Sequence, residues 1–133
     1  MNPKYNTIIK WGAAALLLLN AAGAIPAGIL FIIDPSGALM GTSTALLQQA
    51  PFSNFLIPGV VLFIANGLCS IAALLLLLKW QRAWAPVFQG IILLGWLAIQ
   101  VWMLQSIHAQ HIVMAVVGVL LVLSGMALGA TKR

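Results

Sequence analysis

The chain has 133 residues, 63% hydrophobic and only 5% charged, with six Lys and Arg against one acidic residue and a net charge of +5. An average soluble domain is about 25% charged, and a short soluble chain leaves much of its surface in water, so lipid is the solvent this composition requires. Nucleic acid is not an expected partner, because the basic residues form no patch or stripe, and the single Cys excludes an intramolecular disulfide.

Four apolar runs approach the roughly 20 residues that cross a hydrocarbon core as a helix: Trp11 to Ile33, Phe55 to Leu78, Pro86 to Leu104 and Ile112 to Ala130. Strand alternation is absent, and backbone groups in lipid must be satisfied within the segment, which leaves helix. The expectation is an all-α polytopic protein, one four-helix transmembrane domain. The short links 79–85 and 105–111 make successive helices antiparallel neighbours in an up-down bundle.

The first run carries a rival reading. A basic start, "AAALLLL" and Ala22-Gly23-Ala24 resemble a cleaved secretory signal. The apolar stretch continues through "IPAGILFII" to full spanning length, so an uncleaved first helix is expected. Asn20 lies roughly 14 Å along it from Trp11, near mid-membrane, and shares a face with Gly23, Ala24 and Ala27.

Asp34 is the only acidic residue. Asp34-Pro35-Ser36-Gly37 fits a type I turn, with Asp first, Pro second and Gly fourth; Asp34 could equally cap a short helix that has Pro35 at its first position. The competing reading is a proton or cation site at the bundle mouth. The 34–54 connection is long beside the usual roughly 4–6 residues. Thr42, Ser43 and Thr44 offer caps for a short interfacial helix in "ALLQQA", ended by Pro51. The loop reads as either a lid or a connector.

In the second run, Asn66, Cys69 and Ser70 share a face, with Asn66 roughly 18 Å from Leu78. Cys69 reads as a small buried residue. Gln100 is the polar residue toward the end of the third run. The fourth carries a small-residue stripe, Gly118, Gly125 and Gly129, beside Ser124. Such faces let helices approach closely and hydrogen-bond. Asn20, Asn66, Ser70, Gln100 and Ser124 are therefore either interhelical glue or the lining of an intramembrane polar pocket.

His108 and His111 stand three apart at the start of the fourth run, on one face of a helix. With Asp34 they form a candidate site on the loop side, but a structural zinc site takes four ligands, so neither metal nor cofactor is expected. No phosphate loop, paired carboxylate or nucleophile with a base is present, so the chain reads as a non-enzyme.

Charge sets orientation. Lys4, Lys10, Lys79, Arg82, Lys132 and Arg133 all fall at one side, with Tyr5, Trp11, Trp80 and Trp84 crowded there, whereas Asp34 and both His lie at the other. The positive-inside rule makes the basic side cytoplasmic, with both termini inside.

Small multidrug antiporters are similar only in outline, since their first helix carries a titrating Glu where this chain has Asn20. Disulfide-forming membrane oxidoreductases are four-helix bundles too, but need several cysteines. "DPSGALMG", "PFSNFLIPG" and "LGWLAIQVWML" resemble a family of small four-span bacterial inner-membrane proteins with no assigned activity. The resemblance covers most of the chain and implies a bacterial inner-membrane location. Three functions follow as expectations. The first is a non-catalytic module whose partners are the lipid bilayer and another membrane protein or a second copy of itself. The second is a small-molecule binding or transport protein with its site under the 34–54 loop, and the third a metal or quinone redox protein using the His pair.

Overall fold

The structure, a computed structural model, describes residues 3–48, 50–104 and 107–130. Lys132, Arg133, Gln105, Ser106 and the side chain of Tyr5 lie outside the described residues. Four helices are each long and apolar enough to cross a membrane: α1 (Pro3–Ile33), α2 (Leu56–Trp80), α3 (Trp84–Leu104) and α4 (Ala109–Ala130). Among the described residues there is no strand.

Each helix runs beyond the apolar stretch that announces it. α1 begins at Pro3 rather than Trp11, because nothing in Lys4 to Lys10 stops a helix, and an apolar count ends where charge begins. α2 carries on past Leu78 through Lys79 and Trp80. It stops where Gln81 adopts a left-handed conformation (φ 51°), and the Leu76 carbonyl accepts from the N–H groups of both Gln81 and Arg82. Pro26 sits within α1 without ending it, as helices packed in a membrane allow.

α2 is not uniformly α-helical. Leu62–Leu68 is π-helical, between α segments Leu56–Val61 and Cys69–Trp80. The i→i+5 spacing takes an extra residue per turn, which shifts the faces on either side of it. Asn66 and Gly67 are buried within this segment.

Sequential helices pack side by side, and α4 returns to α1, so α2 and α4 occupy opposite corners. Two of these contacts are unusually close. A Cβ on Gly67 would stand 2.7 Å from Ile25 Cγ1, and one on Gly28 2.7 Å from Phe63 Cβ, which brings α1 against α2. Gly90 and Gly118 do the same for α3 and α4: a Cβ on Gly90 would lie 2.7 Å from the Gly118 carbonyl oxygen. Gly125 packs on Val87 and the Ala83 carbonyl, whereas Gly129 is looser, 3.8 Å from Ala83 Cβ.

The apolar core lies toward the basic end, where Ala13, Leu17, Ala73, Leu77, Leu121 and Leu128 close the bundle. Only 28–33% of the most apolar stretch of each span is buried. The rest presents Leu, Ile and Val outward, as a lipid-facing surface must. Lys10 and Lys79 lie over the rings of Trp11 and Trp80, at 5.8 and 4.9 Å from the centroids, an arrangement suited to the headgroup boundary.

The long connection is a folded strap. Gly37 N–H donates to the Asp34 carbonyl at 3.1 Å, closing a turn over Asp34–Gly37. Instead of a longer interfacial helix, Thr44–Leu47 forms one 3₁₀ turn whose cap, Ser43 Oγ, accepts from Ala45 N–H. Leu47 is buried beneath it. Phe55 closes the strap, stacking on Phe31 with centroids 4.8 Å apart and donating its N–H to the Pro35 carbonyl at 2.9 Å.

Candidate functional site

Away from the basic end the four helices part around two adjoining cavities. The larger, about 490 Å³, is lined from all four helices, by Asn20, Asn66, Trp96, Gln100, Gln110 and His111 among apolar neighbours. The smaller, about 300 Å³, lies under the strap against Met40, Thr42, Leu46, Leu47 and Phe55. Leu62, Trp96, Gln100 and Gln110 line both, so the two form one hollow divided by those side chains. Both volumes fall in the usual range of roughly 300–1,000 Å³ for ligand pockets.

The polar walls differ in how they are satisfied. Asn20 Nδ2 donates to Ser70 Oγ at 2.8 Å, fully buried, joining α1 to α2. Gln89, outside both cavities, donates its Nε2 from α3 to the Ala65 carbonyl at 3.0 Å within the π-helical segment, while its Oε1 is buried without a protein partner. In the cavity wall, both amide atoms of Asn66, Trp96 Nε1 and His111 Nε2 are buried with no protein partner. Their residues are 0%, 8% and 3% exposed. Buried polar groups are nearly always paired, and an orphan costs about 1–3 kcal/mol. Three such residues around one hollow are therefore a feature that packing alone does not explain.

His111 is oriented by the start of α4. The His108 carbonyl accepts from His111 N–H at 3.0 Å, and His111 Nδ1 accepts in return from His108 N–H at 3.0 Å. The second bond is the half of a capping box in which the N3 side chain reaches back to the N-cap N–H, with imidazole in the place usually taken by Glu or Gln. Because Nδ1 accepts, the proton of the neutral ring sits on Nε2, the atom directed away from the cap.

The expected site residues separate accordingly. Asn20, Asn66, Gln100 and His111 come together at the larger cavity, and Ser70 stands behind it as the partner of Asn20. Ser124 does not join them: its hydroxyl donates to the Leu120 carbonyl of its own helix at 2.5 Å, the usual recourse of a mid-helix Ser. Nor do Asp34, His108 and His111 form one site. Asp34 Oδ1 accepts from the Ser36 hydroxyl at 2.6 Å and from Ser36 N–H at 3.2 Å. The Ser36 hydroxyl holds the carboxyl below its ordinary value, against the opposing effect of burial, with the backbone N–H groups of Ser36 and Leu39 adding to it. His108 lines the smaller cavity, its ring 5.5 Å from that of His111. Among the described residues, no three His, Cys, Asp or Glu gather as metal ligands would.

No family model, curated protein or solved structure matches this chain. The site must speak through its own chemistry.

Two functional residues escape a reading of the sequence. Trp96 counts there as apolar, although it lines both cavities and its indole N–H is buried without a protein partner. Gln89 carries a usable signal: Gln89, Leu93, Trp96, Leu97 and Gln100 recur at helical spacing and form one stripe of α3.

Proposed function

We propose that the protein is a non-catalytic integral membrane protein that binds a small molecule between its helices, beneath the 34–54 strap. The observation that carries this reading is the convergence of the Asn66 amide, Trp96 Nε1 and His111 Nε2, atoms buried without a protein partner, on one hollow. Interhelical glue pairs its polar groups with one another, as Asn20 and Ser70 do; these three are left for something else. The charge distribution supports a cytoplasmic basic end and cytoplasmic termini, and the resemblance of "DPSGALMG" and "PFSNFLIPG" to small four-span bacterial proteins supports an inner-membrane location.

Gly23 provides the test. It lines the larger cavity at an exposed position where a Cβ would meet nothing within 4 Å, so Gly23→Phe adds a bulky ring at the cavity mouth from a position that no helix contact occupies. Native mass spectrometry of detergent-purified protein should show a small molecule held at up to one per chain in the wild type and lost in Gly23→Phe. Wild-type protein without such a species, and unchanged by added hydrophobic extract, would end this reading. Reporter fusions after Leu78 and at the C-terminus should read cytoplasmic, and one at position 45 external.

A further inference from the structure

On the reading that the hollow binds a small molecule, we propose its chemical class: an uncharged amphiphile whose polar end carries carbonyl oxygens. The wall atoms that are buried without a protein partner are three donors and one acceptor. Trp96 Nε1 can only donate. His111 Nε2 also donates, because Nδ1 is already committed as acceptor to His108 N–H. Asn66 adds an NH₂ donor and one acceptor, both unpartnered. The amide NH₂ of Asn20 is engaged by Ser70. A ligand rich in acceptors and poor in donors complements this wall, and a carbonyl oxygen with two lone pairs is the simplest such group.

Charge narrows the class further. Neither cavity is lined by Asp, Glu, Lys or Arg. A carboxylate, phosphate or ammonium in this setting would be buried without a counter-ion, at a cost that neutral hydrogen bonds do not offset. Protonating His111 at Nδ1 would set two donors against each other at the cap, so the imidazole does not supply a ready counter-charge either. Beyond Gln100, Gln110, Thr42 and His108 the wall is hydrocarbon: Leu19, Leu62, Leu93, Leu97 and Met114 around the polar cluster, and Phe31 and Phe55 further out. An apolar body therefore lies alongside the carbonyl end.

Two membrane-soluble sources share this chemistry, a prenylated quinone and a neutral glyceride ester. The experiment uses purified full-length protein in detergent with three probes: a benzoquinone bearing one isoprene unit, dioctanoylglycerol, and octylbenzene, which has no acceptor. Binding is followed by native mass spectrometry and by the carbonyl stretching band in infrared difference spectra. At least one carbonyl probe should bind at one per chain, more tightly than octylbenzene, with its carbonyl band moved to lower frequency. Trp96→Phe keeps the ring but removes the N–H, and should weaken that probe about 3- to 10-fold, the worth of one hydrogen bond, and shrink the band shift. His111→Leu should do likewise, whereas His111→Gln retains both a cap acceptor and a donor and should bind nearly as wild type. Whichever carbonyl probe binds identifies the source. Octylbenzene binding as tightly as the carbonyl probes, or a band shift indifferent to Trp96→Phe and His111→Leu, overturns the carbonyl assignment while the binding reading stands. If none of the three probes binds, the carbonyl assignment fails, and a co-purifying species of another class would still leave the binding reading intact.

Discussion

The basic half and the loop half of the bundle are built from the same four helices to opposite ends. In the basic half, Ala13, Leu17, Ala73 and Leu121 pack at 0–5% exposure with no polar side chain among them. Toward the loop end, glycines draw α1 onto α2, and the four walls then stand apart around polar atoms. Lipid tails are as apolar as Leu, so a membrane bundle gains its cohesion from close packing and interhelical hydrogen bonds. One half of this chain spends residues on that cohesion. The other leaves the Asn66 amide, Trp96 Nε1 and His111 Nε2 buried without a protein partner.

The largest test of the contrast sits in the closed half. Leu17→Ala and Leu121→Ala each truncate a fully buried side chain, and should cost about 2–5 kcal/mol in detergent unfolding. Leu62→Ala, at the wall between the cavities, removes contacts that are already incomplete and should cost roughly half as much or less. Equal losses at the two ends would erase the distinction.

A change of sign comes next. Asn66→Leu replaces an unpaired buried amide by an apolar group of similar volume, and should raise the unfolding free energy of ligand-free protein by about 1–3 kcal/mol. A loss of stability there would mean that Asn66 is structural glue after all. Asn20 and Ser70 should behave in the opposite way. A double-mutant cycle with Asn20→Ala and Ser70→Ala should give a coupling of about 0.6–2 kcal/mol, because each is the other's partner.

The smallest effect concerns the strap. The folded-state value of Asp34 is held down, chiefly by the Ser36 hydroxyl. Its contribution to stability is therefore complete above the ordinary carboxylate value of about 3.9, and is lost as pH falls through the folded-state value. Thermal unfolding should show a modest loss on acidification below about pH 4 that is reduced in Asp34→Asn and in Ser36→Ala. A pH dependence unchanged in both variants would remove Asp34 from the account of the strap.

The four spans, their order and the segregation of charge were legible because hydropathy and length are one-dimensional properties. Asn20 and Asn66 were legible as well, since an amide far from either end of an apolar run stands out. Their separate fates were not. Whether an amide is glue or lining depends on what faces it from another helix, and Ser70 faces Asn20 while an open cavity faces Asn66. Ser124 has the same composition signal as Ser70 but satisfies itself along its own backbone. Trp96 was hidden by a residue type that hydropathy counts as apolar, and His111 by a neighbour in sequence, His108, that suggests metal while serving as a cap.

The π-helical segment at Leu62–Leu68 makes α2 a shaft of two pieces keyed at different phases. Each residue advances an α-helix by roughly 100°, so deleting a single residue between 62 and 65 would let α2 wind evenly and turn one piece by about that angle against the other. If Ser70 stayed with Asn20, Asn66 would be carried toward lipid or into a neighbour; if Asn66 stayed at the cavity, Ser70 would leave Asn20. The chain's length is therefore held to the single residue in a stretch of hydrocarbon side chains, Leu62 to Ala65. In this span the number of residues is a stricter specification than their identity.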